Sequence, residues 1–60
     1  MYKYSFVSIP IKTRREGAVL DQDYREVIRA KAELGWTFVQ AITFDSLVEP
    51  RVDLVFSRKD

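Results

Sequence analysis

Sixty residues leave room for one domain, spanning 1–60, and a formal net charge of +1 creates no global field toward nucleic acid or an anionic membrane. With no cysteine and no histidine, the chain has no disulfides, none of the usual zinc, copper or iron sites, and no Ser-His or Cys-His nucleophile. An apolar share of 47% against 32% charged residues is the balance of a chain that folds. A domain of this size buries only about 60% of the surface its unfolded form exposes, so with disulfides and those metals closed, self-association is the remaining source of added stability.

From Tyr2 to Ile11, Tyr2, Tyr4 and Phe6 fall on one parity and Val7, Ile9 and Ile11 on the other, which predicts a first strand. Pro10 lacks a backbone donor, so that end should be an edge, a bulge or an exit. The alternation rules out the continuous apolar run of a signal peptide, and no stretch approaches the roughly 20 apolar residues of a membrane span, which predicts a cytoplasmic protein. Lys12 to Val19 loses the alternation and is crowded with charge, predicting a surface loop.

Asp21 and Asp23 offer acceptors for a helix start, with Glu26 three residues after Asp23 in a capping-box spacing. Gly35 is suited to the left-handed turn that closes a helix, so the helix should run to about Leu34. Leu20, Tyr24, Val27, Ile28 and Leu34 gather on one side of it and Arg25, Glu26, Arg29 and Glu33 point away. Lys31 interrupts that apolar stripe. Its stem can lie over the core edge while the ammonium reaches water or a carboxylate such as Asp53, and the alternative makes it a site residue.

Trp36 to Phe44 predicts a second strand, apolar on both parities: Trp36, Phe38, Ile42 and Phe44 against Val39 and Ala41. Asp45 to Pro50 reads as the connection to a third strand, Arg51 to Arg58, where Val52, Leu54 and Phe56 alternate with Arg51, Asp53 and Ser57. The predicted fold is therefore α+β, a β-α-β-β chain. It would form a three-stranded sheet of order 1-3-2, half of a ferredoxin-like sheet, with one helix packed on one face and order 1-2-3 as the alternative.

A helix of roughly 14 residues is about 21 Å long and covers one face of three strands but not both. Large apolar side chains are left facing away, and Tyr2, Tyr4, Phe6, Trp36, Phe38, Phe44 and Phe56 are the candidate interface. A homo-oligomer, dimer or tetramer, is the expected assembly, with a protein partner the other possible cover. Lys12, Arg14, Arg15, Arg58 and Lys59 are candidate anion-binding residues, and with Tyr2 and Tyr4 as stacking surfaces they form the alternative reading, a nucleic-acid-binding module. Against it stands the near-zero net charge. Asp21 with Asp23, and Asp45 with Glu49, are carboxylate pairs, but one suits a helix start and the other a turn, and no nucleophile, base and orienting group occur together. The expectation is a non-enzymatic chain with no cofactor.

The opening Met1-Tyr2-Lys3-Tyr4, the helix ending Leu34-Gly35-Trp36, the following Phe38-Val39-Gln40, and the closing Leu54-Val55-Phe56-Ser57-Arg58-Lys59 together resemble a family of short bacterial and phage proteins known as domain of unknown function 4177. The resemblance covers nearly the whole chain and implies a β-α-β-β domain that assembles with itself. These motifs are structural, and the family brings no activity to carry over.

Overall fold

The structure, a computed structural model, describes residues 1–45 and 48–59. Its first element is a long strand, β1, Tyr2–Arg14, which turns through Arg15 and Glu16 into a short antiparallel partner, β2, Gly17–Leu20. Arg14 pairs with Gly17, and Gly17 takes φ 126°, so the glycine absorbs the positive dihedral that the two turn residues do not adopt. Pro10 sits where β1 hands its pairing from one neighbour to the other. Pro10 cannot donate, and its carbonyl accepts from the Asp21 amide at 2.9 Å.

The helix α1, Tyr24–Glu33, starts on Asp23, whose carboxylate accepts the Arg25 amide at 3.0 Å. Glu26 does not complete a capping box with its side chain but accepts from Arg29 at 2.8 Å. The helix ends in a Schellman motif: the Trp36 amide donates to the Lys31 carbonyl, the Gly35 amide donates to the Ala32 carbonyl, and Gly35 stands at φ 87°. Val27 and Ile28 are the helix residues that reach the core, and none is fully buried.

Strands β3, Thr37–Phe44, and β4, Arg51–Lys59, complete an antiparallel sheet of order β2-β1-β4-β3. β4 lies between β1 and β3, and its Leu54, Val55 and Phe56 are buried in succession, so the central strand has buried side chains on both faces. Phe56 and Ile9 are fully enclosed and Leu54 nearly so, with Val7, Leu20, Val27, Ile28, Trp36 and Val52 packed around them. Phe38 meets Phe56 edge-on at 5.8 Å.

The expected three-stranded sheet of order 1-3-2 is corrected on two counts. The sheet has four strands, and β2 extends it beyond β1. The segment Lys12 to Val19 is not a surface loop but a hairpin, and the first strand continues to Arg14 rather than ending at Ile11. Lys12, Thr13 and Arg14 are exposed, so little burial imposes apolar alternation on this arm, which is held by backbone pairing and, at its base, by Leu20 packed on the core. The half ferredoxin-like description falls with the strand count, and the short helix covers its side of the sheet only in part. Ser46 and Leu47, inside the expected connection Asp45 to Pro50, lie outside the described residues, as does Asp60.

Phe56→Ala is expected to cost about 3–5 kcal/mol and Asp23→Ala about 1 kcal/mol in urea unfolding. Gly35→Ala should cost about 1–2 kcal/mol through its positive φ, because an added Cβ would meet only the Arg58 Cδ, at an ordinary 3.5 Å.

Candidate interaction surface

Directly paired residues of antiparallel strands share a face, so the register sorts every side chain. Ser5 pairs with Phe56, Val7 with Leu54 and Ile9 with Val52, and these point toward the helix. The other face is built in rows across β1, β4 and β3: Tyr4, Ser57, Thr37; Phe6, Val55, Gln40; Ser8, Asp53, Ile42; Pro10, Arg51, Phe44. Among the described residues no element is layered over it. Phe6 is 65% exposed and Tyr4 60%, and Tyr2, Ile42 and Phe44 also stand open, while Val55 is buried at the centre.

One surplus residue in β3 decides this distribution. Phe38 pairs with Phe56 and Gln40 with Val55, so Val39 is a bulge and the strand changes parity there. Phe38 therefore faces the helix side although Ile42 and Phe44, of the same parity, face away. The candidate interface residues divide accordingly. Tyr2, Tyr4, Phe6 and Phe44 are on the open face, while Trp36, Phe38 and Phe56 belong to the helix side, where Phe56 is enclosed and offers nothing to a partner.

On the open face Asp53 and Arg51 are partnered. Asp53 accepts from the Ser8 hydroxyl at 2.6 Å and from Arg51 Nε at 3.2 Å, and the Arg51 guanidinium lies 4.2 Å from the centre of the Phe44 ring. Such an island can be covered without orphaning a charge.

Lys31 lies on the helix side, so it cannot reach Asp53. Its ammonium donates to the Ser5 hydroxyl at 2.9 Å and sits 5.2 Å from the Trp36 ring and 5.9 Å from the Phe56 ring. Arg58 stacks on the same indole at 4.8 Å and donates to the Leu34 carbonyl, so both cations complement the negative end of the helix. The basic residues are not brought together. Lys12, Arg14 and Arg15 are at the hairpin end of β1, whereas Arg58 and Lys59 pair with Lys3 and Tyr2 at its other end, in a molecule 42 Å long. On the helix surface, the Arg25 guanidinium is held above its usual value by a hydrogen bond with Tyr24, then by the charges of Tyr24 and Asp23.

An open cleft of about 320 Å³ lies between Pro10, Lys12, Glu49 and Arg51, at the Phe44 end of the face. Among the described residues no three carboxylates converge on a point where a metal could sit, and no helix is long and apolar enough to cross a membrane. Compared with family models, with curated proteins and with solved structures, the chain matches none. Lys31→Ala is expected to lower stability by about 1 kcal/mol and to shift the emission of Trp36, the single tryptophan, to longer wavelength. Lys31→Met keeps the stem and should lose about half as much.

Proposed function

We propose that the chain is a non-enzymatic interaction module whose copies associate by burying the open sheet face. A monomer of this mass has about 4,100 Å² of accessible surface by the usual scaling, whereas this chain exposes 4840 Å². The excess of roughly 700 Å² approaches the ~800 Å² that each partner buries in a standard interface. The radius of gyration, 12.9 Å against about 10 Å expected for the length, supports the same reading: a thin sheet lacking a second layer. The aromatic rows supply rigid anchors, and the satisfied Asp53 island lets them be covered at low polar cost. The resemblance to the domain of unknown function 4177 family points the same way.

Size exclusion with light scattering at micromolar concentration is expected to give twice the chain mass or more, and a strict monomer overturns the proposal. Phe6→Glu, at the middle of the face, should lower that mass.

A second reading is favoured by Tyr2, Tyr4 and Phe6, which stand exposed in a line beside Lys59. A single strand of nucleic acid could stack there. The separated basic clusters weaken it. Titration with single-stranded DNA and RNA at low ionic strength decides: salt-dependent binding supports this reading and its absence removes it.

A further inference from the structure

β3 is the terminal strand of the sheet, and among the described residues its outer edge has no partner. Its sequence, Thr-Phe-Val-Gln-Ala-Ile-Thr-Phe, holds no charge, proline or glycine over eight residues. Edge strands that must stay single are usually guarded by lysine, proline or shortness. The opposite edge is guarded along its length: β2 has four residues, covers Ile11 to Arg14 and ends in a hairpin carrying Arg14, Arg15 and Glu16, and the rest of that edge is the outer side of β1, which carries Lys3 and Pro10. β3 has only the bulge at Val39, which leaves Gln40 to Phe44 in unbroken register with β4.

We infer that Gln40–Phe44 is a two-fold seam at which β3 pairs antiparallel with β3 of a second copy, joining two sheets into one of eight strands. This rests on the reading that the chain self-associates and adds, beside the open face, an edge contact at which a second copy joins. A second copy fits better than a charged segment of another protein because a two-fold axis sets the strand against an identical strand, so any charge on it would face an edge of the same charge. An edge without charge is the kind that can face itself without repulsion. The regular run is centred on Ile42, so Ile42 meets the Ile42 of the other copy, Gln40 meets Phe44, and Ala41 meets Thr43. On the open side, Ile42 and Phe44 then join the two aromatic faces into one continuous surface.

Ala41 and Thr43 face the helix side of the sheet, and both are exposed, so changing them leaves the open face intact. The double variant Ala41→Lys with Thr43→Lys sets lysines opposite each other across the seam, and light scattering should show at least a tenfold weaker association. Ala41→Lys with Thr43→Glu instead sets opposite charges across the seam in this register and should associate like the parent chain, with circular dichroism unchanged in both. Wild-type association by the double-lysine variant overturns the seam, and loss of association by both variants overturns the register. If the double-lysine variant associates normally while Phe6→Glu dissociates, the face reading stands and the seam falls. If the double-lysine variant dissociates while Phe6→Glu does not, the seam stands and the face reading falls. A parent chain that is monomeric overturns both.

Discussion

The rest of the fold depends on the two-sided pairing of β4. Flanked by β1 along nine residues and by β3 on its other side, β4 satisfies its backbone groups within the sheet and can therefore be apolar on successive residues, Leu54, Val55 and Phe56. Leu54 and Phe56 anchor the side under the helix, and Val55 anchors the side that has no helix. Because one strand supplies the centre of both faces, the molecule is organised as a sheet with a partial cover on one side rather than as two packed layers. The helix contributes Val27 and Ile28 to that cover and is itself fixed by its ends, at Asp23 and Gly35, more than by its flanks.

Much of this was legible in the residues. Asp23 and Gly35 marked the helix ends because capping chemistry is local: a short acceptor at one end and a residue free to take positive φ at the other. The excess of apolar side chains over what one helix can cover was also visible, since it follows from counting faces. The hairpin was not. Lys12, Thr13, Arg14 and Val19 are exposed, so no burial imprints an alternation on them, and the one informative residue, Gly17, reads equally as a loop glycine. The division of the candidate interface was also hidden. Parity places Phe38 with Phe44, and only a register shift at Val39, set by pairing with β4, separates them. Lys31 shows a third limit. Its stem was expected at the core edge, but its partners, Ser5 and the Trp36 ring, come from elements whose alignment no local pattern specifies.

The two sides of the sheet handle charge differently. On the helix side, Lys31 and Arg58 lean on an indole and on the negative end of the helix. On the open side, Asp53, Ser8 and Arg51 form a self-contained group beside Phe44. Both arrangements give these charges a partner, which lowers the cost of covering them with another chain.

The bulge at Val39 also governs how β3 tolerates changes in length. Val39 is surplus to the ladder, so the chain could lose it and every other side chain in the strand would keep its side of the sheet. Loss of Gln40 or Ala41 can be absorbed in the same way, because Val39 can enter the ladder in place of the missing residue and leave Ile42, Thr43 and Phe44 on their present sides. The surplus residue is thus a reserve of length: the strand can shorten by one between Val39 and Ala41 without turning Ile42 or Phe44 toward the helix, whereas a second loss would have no bulge left to absorb it.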